Sequence, residues 1–254
     1  MTESLVRQAR DGDVAIVTLN RPARHNALVP ELLTALLAAL DDVATGDAAA
    51  LVLSAEGRSF STGGDLRGFL EHRESIGAYA DLLVGLLNDV ILALYRLPFP
   101  TVCAVSGQVC GGSLGLLLAC DRVVMQQDAG IAPWYRAVGF SPDGGWAAML
   151  PEVIGRRQAA HWIISDARYA AARCLELGLA QEVVAGDALP IALNWAREAA
   201  TMSRGGARST VSLLRCDDEV LARRLEAEKA AFVRQVRSPE ALAGIELFLH
   251  RENT

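Results

Sequence analysis

The chain has 254 residues, of which 52% are hydrophobic and 21% charged, and its formal net charge is −6. That size and balance fit one large folded domain, or a domain with a small helical appendix. The acidic balance, with no long run of Lys and Arg, excludes nucleic acid and an anionic membrane as expected partners.

Val14 to Leu19 is β-branched and alternates weakly, which predicts a strand ended by Asn20-Arg21-Pro22. Pro30 suits a helix start, where its missing N–H costs nothing, and residues 31–43 place leucines at helical spacing. Residues 49–54 predict a short apolar strand. Residues 68–96 predict one helix, with Leu82, Leu83, Leu86, Leu87, Val90 and Leu94 near a 3.6 period, stopped by Pro98 and Pro100. Thr101 to Val105 predicts a strand, residues 114–119 a helix apolar all round, and residues 121–125 another strand. Strands alternating with helices predict parallel pairing with helical crossovers. Beyond Gly145 the chain predicts helices over 144–150, 155–164, 170–177, 187–203, 206–215, 217–236 and 239–249, with Val183-Val184 extended. Arg223, Arg224, Glu226, Glu228 and Lys229 predict a solvated face of mixed sign.

Two glycine-rich stations punctuate this pattern. Ser59-Phe60-Ser61-Thr62-Gly63-Gly64-Asp65 follows one apolar run, and Ser106-Gly107-Gln108-Val109-Cys110-Gly111-Gly112-Ser113-Leu114-Gly115 follows another. Each leads into a helix-like segment, the arrangement that aims backbone N–H groups at one oxygen. A single such station more often makes a tight turn than a ligand site. Neither contains a dinucleotide fingerprint or a phosphate loop, which lowers hydride and phosphoryl transfer.

The first 13 residues hold no apolar core and do not read as a signal peptide. The longest apolar stretch, 114–120, is too short to span a bilayer. The five cysteines, Cys103, Cys110, Cys120, Cys174 and Cys216, are odd in number and widely spaced. They predict small buried residues in a reducing, cytoplasmic compartment, with a nucleophilic Cys110 as a minor alternative. His25, His72, His161 and His250 show no metal-ligand spacing, so no metal is expected.

Five ordered blocks resemble the crotonase superfamily, the enoyl-CoA hydratases and isomerases. They are Asn20-Arg21-Pro22 with Asn26-Ala27-Leu28; Phe60 through Leu66; Ala104 through Gly107 with Gly111-Gly112-Ser113 and Ala119-Cys120-Asp121; Val138 through Gly145; and Ala172 through Val184. The resemblance implies an α/β fold: a crotonase-like ββα spiral core over residues 1–198 and a C-terminal helical trimerisation region over 199–254. It implies an acyl-CoA thioester as the ligand, a homotrimer or a dimer of trimers, and no cofactor beyond the coenzyme A of the substrate. The thioester oxygen would sit on the N–H groups of Gly64 and Gly112. Arg24, Ala27, Thr62, Gly64 and Leu66 would hold the coenzyme, and Trp134 and Tyr135 would wall the acyl pocket. Phe232, Phe248 and Arg251 are looser candidates for closing it, and the segment Glu71-His72-Arg73-Glu74 for reaching the substrate.

The chain departs from the resemblance where hydratases keep two glutamates. Gly115 stands at one position, and Pro133-Trp134-Tyr135-Arg136 spans the other. Water addition needs one group to position water and one to move a proton, so ordinary hydration is disfavoured. Asp143 is the remaining carboxylate, either a base that moves one proton or a cap on the helix expected from residue 144. Double-bond isomerisation of an enoyl-CoA leads. The alternatives are hydratase, hydrolase or decarboxylase chemistry, and acyl-CoA binding without turnover.

Overall fold

The structure is a computed structural model that describes residues 4–215 and 217–252. Cys216 and the side chain of Arg251 lie outside the described residues. In chain order the elements begin with β1 (Val6–Asp11), β2 (Val14–Leu19), α1 (Pro30–Thr45), β3 (Ala50–Ala55), β4 (Ser59–Ser61), α2 (Leu66–Glu71) and α3 (Ile76–Arg96). They continue with β5 (Thr101–Val105), β6 (Gln108–Cys110), α4 (Leu114–Leu118), β7 (Arg122–Gln126), β8 (Gly130–Ala132) and α5 (Tyr135–Val138). Then come α6 (Leu150–Ile154), α7 (Arg156–Ser165), β9 (Tyr169–Ala170), α8 (Ala171–Glu176) and β10 (Glu182–Val184). Four helices close the described chain: α9 (Ala188–Ala200), α10 (Arg204–Leu214), α11 (Asp218–Gln235) and α12 (Pro239–Glu252).

The strands form two sheets, one in the order β1-β2-β3-β5-β7-β10 and one in the order β4-β6-β8-β9. Pairing is parallel except for β1 with β2 and β8 with β9. The chain alternates between the sheets: β3 then β4, β5 then β6, β7 then β8. Each repeat lays one strand in each sheet, which makes the expected ββα spiral. The inner strands of the large sheet, β2, β3, β5 and β7, are largely buried on both faces. On one side, Ala188, Ala192 and Ala196 of α9 pack on Val52, Val102 and Val124. An alanine every fourth residue lets that helix approach closely. On the other side lies the main core, where Leu32, Leu36 and Leu40 of α1 meet Leu83, Leu87 and Ile91 of α3. The described part of the C-terminal region joins this core through Leu221, Leu225, Phe232, Val236 and Ile245.

Three expectations need correction, and one kind of element was missed. The glycine stations follow β3 and β5 as expected, but each also contains a short strand of the second sheet, β4 or β6, that the sequence did not predict. The helix expected over 68–96 is two helices parted by a 3-10 turn at Arg73–Ser75. Leu82 of its predicted stripe is 53% exposed. Residues 144–149 form turns, and the helix starts only at Leu150. By length and composition the segment Arg73–Arg96 would cross a bilayer. In the fold its apolar stripe is buried against α1 and α11.

Candidate active site

Neighbouring parallel strands deliver their following loops to the same side of a sheet. β4, β6 and β8 are such neighbours. Residues 62–65 leave β4, Gly111–Ser113 leaves β6, and Pro133-Trp134 leads from β8 into α5. The two glycine stations therefore touch. Gly63 has φ 79°, and a Cβ on it would stand 2.8 Å from the Cys110 carbonyl oxygen. Glycine satisfies both the left-handed backbone and that approach. The buried Ser113 hydroxyl lies 2.7 Å from the Cys110 carbonyl and 3.3 Å from that of Ser61, joining the stations. The indole of Trp146 donates to the Gly111 carbonyl at 2.7 Å and fixes the second station from behind.

The contact opens on a cavity of about 500 Å³. The residues expected for the thioester oxygen, the base, the coenzyme and the acyl wall line it: Gly64, Gly112 and Asp143; Arg24, Ala27, Thr62 and Leu66; Trp134 and Tyr135. Gly64 forms a parallel bridge with Leu28, which donates to the Gly63 carbonyl at 2.8 Å and accepts from the Asp65 amide at 3.0 Å. In such a bridge the central residue's own N–H points away from its partner. Gly112 is second in the 3-10 turn Gly111–Ser113, among the N–H groups a helix start leaves unsatisfied. Two backbone donors thus border one cavity.

Asp143 is 7% exposed. The Tyr135 hydroxyl donates to its Oδ1 at 2.6 Å. Among the described residues no donor reaches Oδ2, which lies 2.8 Å from where a Cβ on Gly112 would be. Burial pushes the Asp143 carboxyl up to about 7, and the charge of Glu228 adds to the rise while the Tyr135 bond opposes it. Burial likewise pushes the Tyr135 phenol well above its ordinary value, so it stays a donor. The expected cap role of Asp143 fails on two counts. No helix begins at Gly144, and another residue takes the nearby amides.

That residue is Glu228, which the sequence placed on a solvated face. It is 7% exposed. Its Oε2 accepts from Gly145 N at 2.8 Å, and Oε1 accepts from Ala147 N at 2.5 Å and Ala148 N at 3.0 Å. Burial raises its pKa, and the three N–H groups pull it back. A signal was present. Leu221, Leu225, Glu228 and Phe232 fall at spacings of four, three and four, so Glu228 sits on the helix's apolar stripe.

The remaining wall is largely apolar. Phe69, Phe140 and Phe232 meet with ring centroids 5.0–6.1 Å apart, and Trp134 lies 6.1 Å from Phe248. Phe69, Phe140, His25 and Arg67 are lining residues that the sequence did not single out. None of Glu71, His72, Arg73 and Glu74 lines the cavity. Arg73 pairs with Glu246, and the His72 ring stacks on Tyr79. Arg24 lies 3.3 Å from Asp65, beside Arg21. Burial works to raise the Asp65 carboxyl, but the two arginines overcome it and hold it below its ordinary range. Burial pushes the Cys110 thiol up to about 12, so it is protonated and no nucleophile. A Cβ on Gly115 would stand 2.4 Å from Ile91 Cδ1 and 2.5 Å from the Gly144 carbonyl oxygen. That backbone oxygen leaves no room for a glutamate.

A family model for enoyl-CoA hydratase/isomerase matches residues 9–254. The chain is 36% identical over 210 residues to a Thermus thermophilus protein whose given name is that of an enoyl-CoA hydratase, covering 82% of each chain. It is 33% identical over 172 residues to a 4-chlorobenzoyl coenzyme A dehalogenase of an Arthrobacter species, covering 67% of this chain and 62% of the dehalogenase. The crystal structure of an enoyl-CoA hydratase from Bacillus halodurans superposes with a TM-score of 0.90 at 26% identity, over 96% of this chain and 100% of that one.

Proposed function

The chain belongs to the enoyl-CoA hydratase/isomerase family, and from that premise we propose that it moves the double bond of an enoyl-CoA through a thioester enolate, with Asp143 as its one proton carrier. The amides of Gly64 and Gly112 hold the thioester oxygen. Removing a proton from C2 of a 3-enoyl thioester drives charge onto that oxygen, and two fixed donors stabilise it there. One such donor contributes about 3 kcal/mol to lowering the barrier in comparable sites. The Oδ2 atom of Asp143 takes the proton from C2 and returns it at C4. With its pKa near 7, Asp143 is ionised often enough to accept and acidic enough to give back.

The observation that carries this reading is the free Oδ2 beside Gly112. One carboxylate suffices for a proton shuttle and not for positioning water as well, and the space at 115 is taken. Coenzyme A enters only as part of the substrate, held along Arg24, Ala27, Thr62, Gly64 and Leu66. A panel of thioesters in deuterated water tests the reaction. A 3-enoyl-CoA should become the 2-enoyl isomer with no 3-hydroxy product, and deuterium should enter at C2 and C4 as the proton held by Asp143 exchanges with solvent between transfers. Hydration of a 2-enoyl-CoA, loss of CO2 from a malonyl-type thioester, or binding without turnover would overturn it.

The trimer, or pair of trimers, belongs to the same proposal. Leu213 and Leu214 of α10 are 85% and 81% exposed, apolar surface that an assembly would cover. Sedimentation at micromolar concentration should give a trimer or a hexamer. A monomer would contradict it.

A further inference from the structure

Asp143 sits on a segment without regular structure. Residues 144–149 are turns, with φ 60° at Gly144 and 89° at Gly145. Such a segment has little of its own to fix a side chain to within a fraction of an ångström. What it has is Glu228, which arrives from α11, more than eighty residues downstream. Its two oxygens accept from the amides of Gly145, Ala147 and Ala148. Were packing all that the stripe Leu221, Leu225, Phe232 required, an apolar residue would stabilise more than a buried carboxylate. Three converging N–H groups explain the carboxylate.

We propose that Glu228 is a positioning residue for Asp143: by clamping the backbone of residues 145–148 it fixes the turn that holds Asp143 against Gly112. The role rests on the reading of Asp143 as the proton carrier. Tyr135 is the second restraint. It binds Oδ1 from α5, and Oδ2 is the Asp143 oxygen that no donor among the described residues reaches. The restraints also act on Asp143 electrically, and with opposite signs. The negative charge of Glu228 disfavours the ionised form of Asp143, while the Tyr135 bond favours it. Leu87, Gly112 and Gly144, which also pack here, carry no charge.

The test follows the Asp143 carboxyl by 13C NMR in protein labelled at aspartate, assigned with Asp143→Asn, beside C2 exchange of bound acyl-CoA. In Glu228→Gln an amide offers one acceptor atom where three N–H groups converge. We expect the Asp143 titration to move to lower pH and kcat to fall about 100-fold, with KM changed less than about threefold, as for a slightly misplaced base. Tyr135→Phe should move the titration the other way. Glu228→Asp keeps the charge but shortens the reach. It should lower kcat without the downward move, and it serves if the glutamine variant does not fold. A folded Glu228→Gln with unchanged titration and kcat overturns the proposal, as does Glu228→Asp with wild-type kcat. If the wild-type protein exchanges no proton at C2, the functional reading fails instead, and the two glutamate variants' titrations still decide whether Glu228 governs Asp143.

Discussion

Asp143→Asn should abolish deuterium exchange at C2 of bound acyl-CoA, a loss of about 10²- to 10⁴-fold in rate, while acyl-CoA still binds. The same substitution should make the protein more stable above neutrality. The sign follows from the raised pKa. Between the ordinary carboxyl value, about 3.9, and about 7 in the fold, the folded state holds a proton that the unfolded chain has released. Stability therefore falls as pH rises through that window, and the cost remains above it. It amounts to roughly 1.4 kcal/mol per pK unit. The asparagine oxygen still accepts from Tyr135 and has no charge to desolvate. Thermal unfolding at pH 5 and pH 8 checks this: the variant's advantage should be larger at pH 8. A residue serving only as structure would lose stability on substitution. A variant that keeps exchange rules out Asp143 as the base. In the wild type, kcat/KM should climb as pH rises through about 7 and then level.

Gly112→Ala should be nearly as damaging to turnover. The new methyl would stand 2.8 Å from Asp143 Oδ2 and 2.8 Å from Leu87 Cδ2. Carbon atoms do not approach that closely without displacing something. The yielding group is either the carboxylate or Leu87 with the helix behind it, and the first moves the base away from C2. A misplacement of about 1 Å costs about 100-fold, and the shifted turn also withdraws one donor from the thioester oxygen. Gly64→Ala is the milder neighbour, because its Cβ would meet Phe69 Cε2 at 3.2 Å, a contact relieved by a shift much smaller than the 2.8 Å contacts at Gly112 require. Steady-state kinetics should rank Gly112→Ala well below Gly64→Ala. The reverse order would contradict the placement of Asp143 beside Gly112.

Much of this site was legible in the sequence because it is made of glycines and of residues next to them. A station such as Ser61-Thr62-Gly63-Gly64 announces a backbone that something must approach, and the order of the five blocks gave the fold. What stayed hidden had no local period. β4, β6 and β8 are three residues long, too short for alternation to register, yet they bring the stations together. β1 has one buried residue in six, so it reads as a polar segment until it is seen pairing along the sheet edge. Glu228 was hidden for a different reason. Its neighbours Arg224, Glu226 and Lys229 are charged, and a charged run suggests solvent. Its partners are three amides far away in the chain, which no window on the sequence contains. The role of Asp143 was undecided for the same cause: only Glu228 shows that the amides near it are already satisfied.

The central claim is that two peptide amides and one carboxylate converge on a thioester. A crystal structure with an unreactive acyl-CoA bound tests it most directly. The account predicts the thioester oxygen about 2.7–3.1 Å from both Gly64 N and Gly112 N, with C2 within about 3.5 Å of Asp143 Oδ2. A thioester oxygen bound by other groups, or a C2 facing away from Asp143, would contradict it.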